Sequence, residues 1–244
     1  MLVGIYSDQG AREYNEDSCT VLKKGNLLCA IMADGLGGHG GGDIASRTAV
    51  DVIKNNIKSA GQVDDITQSQ FNSWFEQANE RIVAMQNRDC QMKTTLAVLC
   101  MNVVSGKVSF AHLGDSRIYH FLDGKEIFCT FDHSVSRMAV LAGEIGIDEV
   151  RFHKDRSKLL KVVGKENFSP PEFGNTIVNH DHMHAFLLCT DGFWEYVTEQ
   201  EMEDTLIQSE HPEDWIKKMY KILKSKVCEE NIYNDNNSAI AIFF

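Results

Sequence analysis

Proline is scarce in this chain of 244 residues: only Pro170, Pro171 and Pro212 occur, and no Ser/Gly-rich or repeated segment interrupts the sequence. With 43% apolar residues and no visible linker, residues 1–244 are expected to build one substantial core as a single domain. Basic residues are also few, 24 Lys and Arg against 35 Asp and Glu, for a formal net charge of −11. That balance excludes a nucleic-acid-binding surface, which needs clustered cations to displace counterions. It suits the binding of cations better, although a solvated acidic surface accounts for most of it. No uncharged apolar run approaches the ~18 residues of a membrane helix, and no basic region leads into an apolar core at the N-terminus. The expected location is therefore the cytoplasm, with no membrane partner. The seven cysteines, at 19, 29, 90, 100, 129, 189 and 228, form neither a zinc knuckle nor a Cys-x-x-Cys pair. Their odd number is awkward for a disulfide framework, and most lie in apolar runs, so they read as buried, reduced thiols.

What the chain does contain comes in blocks. The β-patterned runs "LVGIYS", "SCTVLKK" and "LLCAIMAD" come first. Two amphipathic helices follow, one with Ile44, Ala45, Thr48, Ala49, Val52, Ile53 and Ile57 at helical spacing, the other with Phe71, Trp74, Phe75, Ala78, Ile82 and Met85. "TTLAVLCMNVV", "KVSFAHLG", "SRIYHFLDG" and "KEIFCTFD" then read as one antiparallel meander, with turns at Ser105-Gly106 and Asp123-Gly124. Residues 134–168 lose regularity, as an insertion would. "AFLLCTDG" is a strand, "PEDWIKKMYKILKSKV" a helix and "SAIAIFF" a closing strand. Blocks of strands and helices favour an α+β layered architecture over a doubly wound parallel sheet.

The stretch "ADGLGGHGGG" (33–42) places glycines directly after an apolar strand that ends on Asp34. A phosphate cradle is the first candidate, but no Gly-Lys-Ser/Thr follows, and Gly-x-Gly-x-x-Gly at 35, 37 and 40 is a weak signal alone. The aspartates carry more. Asp34, Asp115 and Asp191 each stand at or just past the end of an apolar strand, and Asp235 stands just before the last one. Asp123-Gly124 is an ordinary turn. Asp34 and Asp191 follow runs too apolar for a surface, so their charge needs a partner or a cation. Mg²⁺ and Mn²⁺ take carboxylate and carbonyl oxygens, and a glycine after the ligand lets the backbone turn towards the ion.

Seven segments in order, "SDQGAREYNEDS", "ADGLGGHGGG", "TTLAV", "HLGDSRIY", "DHSVSRMAVLAGEI", "CTDGFWE" and "DNNSAIAI", resemble the metal-dependent Ser/Thr protein phosphatases of type 2C in their compact bacterial form. The resemblance runs from end to end. It implies a four-layer sandwich of two antiparallel sheets flanked by helix pairs, with a mobile flap at about 134–168. It implies two core Mn²⁺ or Mg²⁺ ions and a third, weaker one. Asp34 resembles the carboxylate that bridges both core ions, Gly35 the carbonyl ligand, Asp191 and Asp235 the ligands completing the second ion, and Asp115 a ligand of the third. Arg12, five residues before Asp17, resembles the phosphate-binding arginine. Glu16 and Asp17 would act directly or through water, with Glu16 and Asn236 in a supporting position. The implied reaction is hydrolysis of phosphoserine and phosphothreonine in proteins by a hydroxide held between the ions, opposing a bacterial Ser/Thr kinase, in a monomer.

Simpler readings compete at several positions. Adjacent strand residues face opposite ways, so only one of Glu16 and Asp17 is expected to reach the ions, and Asp17 is preferred. Arg12 also reads as a surface ion pair. His39 reads as a loop histidine before a general acid, and "HDHMH" (180–184) as an exposed turn before a zinc site. Lys93 stands where the family usually has glycine. A phosphoprotein-binding scaffold needs no second ion, and a two-metal nuclease is disfavoured by the acidic balance.

Overall fold

The apolar run at 27–36 forms a strand whose alternate residues enter different cores, which is why it carries no polar face. The computed structural model describes residues 1–37, 41–61, 64–88 and 90–244. Along the chain the elements begin with β1 (Leu2–Asp8), β2 (Asp17–Lys24), β3 (Leu27–Leu36), α1 (Gly42–Ser59) and α2 (Gln68–Met85). Next come β4 (Lys93–Thr94), β5 (Leu96–Asn102), β6 (Lys107–Leu113), β7 (Arg117–Leu122), β8 (Lys125–Cys129), α3 (Val135–Leu141) and a 3-10 turn at Ile147–Phe152. The chain closes with β9 (Glu172–Ile177), β10 (His184–Cys189), α4 (Asp191–Trp194), α5 (Glu199–Leu206), α6 (Pro212–Glu230) and β11 (Asn237–Phe243).

Two antiparallel sheets result, one ordered β1-β11-β10-β7-β8 and the other β2-β3-β5-β6-β9, with β4 added beside the end of β3. Leu28, Met32, Leu99, Ile118, Leu188 and Ile240 fill the space between the sheets. Ile31 and Val98, on the other face, pack with Ile53, Phe71 and Phe75 of α1 and α2. Leu187 and Ala241 do the same with Trp215 and Met219 of α6 and Met202 of α5. Helices therefore cover the outer face of each sheet, in the α+β order that the sequence implied. At roughly 1.5–3 kcal/mol for each fully buried large side chain, these cores can carry a strained, charged edge.

Several expectations are corrected. The run at 94–129 is not one meander: β5 and β6 pair in one sheet and β7 and β8 in the other. The chain changes sheets at Gly114, whose φ of +106° admits glycine and which lies against Thr95. On α1, Ile44 is exposed and Val50 is buried instead, and Met85 is exposed at the end of α2. All seven cysteines are free, but Cys228 is exposed. At 180–184 the turn is exposed as expected, except that His184 begins β10 and bonds His120 at 3.0 Å. Among the described residues no helix is long and apolar enough to cross a membrane.

Candidate metal centre

Strand pairing brings the sequence-marked acids to one edge of the sandwich. Asp17 lies directly opposite Asp34 across β2 and β3. Cys189 pairs with Ala239, so Asp191, just past β10, and Asp235, just before β11, lie beyond the same sheet end. Ser238 and Thr190 then join the sheets, each donating its hydroxyl to Asp17 Oδ2, at 2.7 and 3.0 Å. The second oxygen, Asp17 Oδ1, is buried with no hydrogen-bond partner among the described residues. A buried, unpartnered carboxylate oxygen is costly, and beside other carboxylates a cation fits it.

The electrostatics agree. Burial pushes the Asp17 carboxyl up to about 7, reinforced by Asp191 and Asp235. Burial, then Glu195 and Asp235, push Asp191 up to about 7, against a hydrogen bond with Asp34 that lowers it. Asp34 stands well above the usual carboxylate range, through burial first and then Asp191, Asp17 and Asp115. Asp115 is raised by burial and then by Asp191. These acids repel one another at an edge with too few protein cations to balance them.

The surrounding chain holds them in place. Asp34 donates its N–H to Thr95 Oγ1 at 2.9 Å and accepts from Thr94 Oγ1 at 2.8 Å. Gly35 donates its N–H to the Glu16 carbonyl at 3.1 Å, and a Cβ on it would lie 2.2 Å from the Gly42 carbonyl oxygen. The glycine after Asp34 is thus what lets α1 start against the end of β3. Glu16 is raised by burial and lowered by a bond from the Gly42 backbone, so its carboxylate faces the start of α1 while Asp17 faces the other acids. Asn236 fastens the 9–16 loop, donating to the carbonyls of Gln9 and Tyr14 at 2.8 and 2.9 Å and accepting from Glu16 N–H at 2.8 Å. Asp115 is held through its carbonyl by Trp194 Nε1 at 2.9 Å, and the Trp194 ring lies 3.5 Å from Arg117, which grips Asp132 at 2.8 and 2.7 Å. Arg12 bonds Asp235 at 2.5 Å, and both are substantially exposed. His39 lies outside the described residues.

Sequence reading missed three parts of this edge. The Thr190 and Ser238 hydroxyls sit inside "CTDG" and "NNSA", where nothing separates a carboxylate clamp from ordinary strand polarity. Glu195 neighbours Asp191 and is held by Arg156 of the 134–168 segment at 2.5 and 3.1 Å. Among the described residues the most compact group of metal-binding type lies elsewhere: His112, His133 and Glu172 place one ligand atom each within 4.8 Å of one another. Gly114 N–H donates to His133 Nδ1 at 3.2 Å, which puts the ring proton on Nε2 and leaves that nitrogen no lone pair for an ion.

The raised acids predict a pH effect on the cation-free protein. Above about pH 6.5 the unfolded chain has already released these protons, whereas Asp17 and Asp191 release theirs near 7 and Asp34 is raised in the same direction, so folding stability falls as pH rises. The lowered His120 and His133, about 4 and about 3, and His112 and His184, lowered in the same sense, oppose this until the unfolded imidazoles have also released their protons, and the carboxyls raised by burial outweigh them. Melting in chelator is expected at a lower temperature at about pH 8.5 than at about pH 6.5, with Mn²⁺ restoring more at the higher pH. Equal melting temperatures would remove the repulsion from the account.

A buried edge rich in carboxylates suits divalent cations. The family model for protein phosphatase 2C matches residues 6–232, and the chain belongs to that family. It is 32% identical over 209 residues to a serine/threonine phosphatase, stp, of Listeria welshimeri, covering 82% of this chain and 81% of that one. The structure of the Staphylococcus aureus serine/threonine phosphatase Stp1 superposes with a TM-score of 0.85 at 25% identity, covering 99% of this chain and 94% of that one. The catalytic domain of the phosphatase PstP, solved with two manganese ions, gives 0.79 at 22% identity, covering 99% and 97%. The protein is thus a serine/threonine protein phosphatase, a hydrolase of a metal-dependent family.

Proposed function

We propose that the enzyme hydrolyses phosphoserine and phosphothreonine in proteins at a binuclear Mn²⁺ or Mg²⁺ centre, and that its substrates include a cognate bacterial Ser/Thr kinase. The convergence of Asp17, Asp34, Asp191 and Asp235 from both sheets, with Asp17 Oδ1 unpartnered, carries this reading. The two manganese ions of the PstP catalytic domain support it. Asp34 would serve both ions, Gly35 would offer its carbonyl to one, Asp191 and Asp235 would complete the other, and Asp17 would assist. Asp115 would hold a third. Bound there, the ions supply the charge that activates a water near neutral pH and offsets charge developing on the phosphoryl group.

The chain's own residues do the rest. Glu16 and Asn236 fix the loop that carries Arg12. The Arg12 guanidinium, exposed beside Asp235, turns to the phosphate, where its planar fork engages two oxygens. The Arg156–Glu195 pair ties the 134–168 flap to the edge beside Asp191. Arg12→Ala is expected to raise KM for a phosphopeptide about tenfold or more while leaving Mn²⁺ affinity nearly unchanged. Unaltered KM and kcat would return Arg12 to a surface ion pair. The reading as a whole is tested by turnover of p-nitrophenyl phosphate and a phosphothreonine peptide with Mn²⁺ and after chelation: activity with the ion and none without is expected, and undiminished activity in chelator would refute it.

A further inference from the structure

Outside the aspartate edge, a rigid hollow of about 530 Å³ opens between the end of α2, β4 and residues 164–167. Its floor is hydrogen-bonded throughout. Gln86 Nε2 donates to the carbonyls of Met92 and Gly164 at 2.6 and 2.8 Å. The buried Asn79 accepts from the N–H groups of Gly164 and Lys165 at 2.7 and 2.9 Å and donates to the Lys165 carbonyl at 2.9 Å. Gly164 has φ +98°, and a Cβ there would lie 2.7 Å from the Met92 carbonyl oxygen, so the floor cannot easily be rebuilt.

Among the described lining residues cations outnumber anions, in a chain of net charge −11: Arg88, Lys93 and Lys165 stand with one carboxylate, Glu166. Lys165 Nζ donates to the Leu160 carbonyl at 2.9 Å, and none of the three is ion-paired among the described residues. The hollow also adjoins the acidic edge. Lys93 pairs with Leu36 and Thr94 with Gly35 across β4 and β3, and a Cβ on Gly41 would lie 2.9 Å from Met92 Cβ. Two strand positions, one strand spacing and a lysine side chain separate the hollow from Asp34 by roughly 10–15 Å, a distance that about three to five residues of extended peptide cover.

We propose that this hollow is an anion subsite for a second phosphoryl group on the substrate, about three to five residues from the one removed. The inference rests on the phosphatase reading above and deepens it. A phosphate dianion matches one arginine fork and two ammonium groups, and an acidic side chain offers the same chemistry with less charge.

The test compares three peptides: one carrying a single phosphothreonine, one with a phosphoserine four residues further on, and one with aspartate at that place. A companion set carries the second group four residues before. The doubly phosphorylated peptide of one set is expected to show about tenfold higher kcat/KM than the singly phosphorylated one, with the aspartate peptide between them. Lys93→Gln and Lys165→Gln should bring that ratio near one, while Glu166→Gln should raise it, a gain that misfolding cannot produce. A ratio of one in the wild type, or one unmoved by Lys93→Gln, overturns the subsite. Peptide affinity measured by fluorescence anisotropy should show the same ordering whether or not turnover occurs, so failure to hydrolyse the singly phosphorylated peptide counts against the phosphatase reading and not against the subsite.

Discussion

Asp34→Asn and Asp191→Asn are each expected to lose at least about 10³-fold in turnover, more than the roughly 10–100-fold typical of removing a group that only supports a metal ligand. Each variant removes a carboxylate from a set that has Asp17 on the other strand and Asp235 at the next strand end. The fold should survive, because Asp34 is anchored through its backbone by Thr94 and Thr95 and these bonds do not use the carboxylate. In chelator the variants should melt higher than the wild type. Asparagine keeps the shape and removes an ionisation that burial and Asp191, Asp17 and Asp115 disfavour in the folded chain. Lost activity together with raised cation-free stability separates a metal ligand from a structural turn residue, which would lose stability on substitution. Lowered melting in chelator with normal turnover would place Asp34 in the second class.

Asp115→Ala carries the second large effect. Asp115 sits where the chain passes from β6 to β7, and Trp194 holds its carbonyl. Burial raises its pKa, and the charge of Asp191 adds to that, so the two acids belong to the same charged edge. If Asp115 serves a third ion, the core acids Asp34, Asp191 and Asp235 keep theirs, and turnover falls by about 10²–10⁴, the scale of losing a positioned acid or base. Two tight Mn²⁺ ions should persist in calorimetric titration. Loss of those tight ions would move Asp115 into the core set; normal turnover would leave it a turn residue.

The strands and the acids at their ends were legible for one reason. A strand buried on both faces must be apolar throughout, so β3, β5, β10 and β11 announce themselves, and a carboxylate that ends such a run is conspicuous. Less legible were features decided by tertiary contact. Gly114 sends the chain from one sheet to the other, which local hairpin patterning at 94–129 could not reveal. β9, an edge strand of mostly half-exposed residues, shows no alternation to read. Ile44 fits the helical spacing of α1 yet lies outside the buried stripe that Val50 joins. At the candidate site, Thr190 and Ser238 clamp Asp17 from the other sheet, and Arg156 reaches Glu195 from an irregular segment. Such pairings depend on how the two sheets and the 134–168 segment are placed, and no spacing in the chain encodes them.

Calorimetric Mn²⁺ titration of the wild type and Asp34→Asn, with phosphothreonine-peptide turnover followed in the same samples, tests the central claim most directly. Two tightly bound ions and turnover are expected in the wild type, with tight binding and turnover lost together in Asp34→Asn. Full turnover without bound Mn²⁺ or Mg²⁺, or two tight ions in an Asp34→Asn protein that still turns over normally, would contradict it.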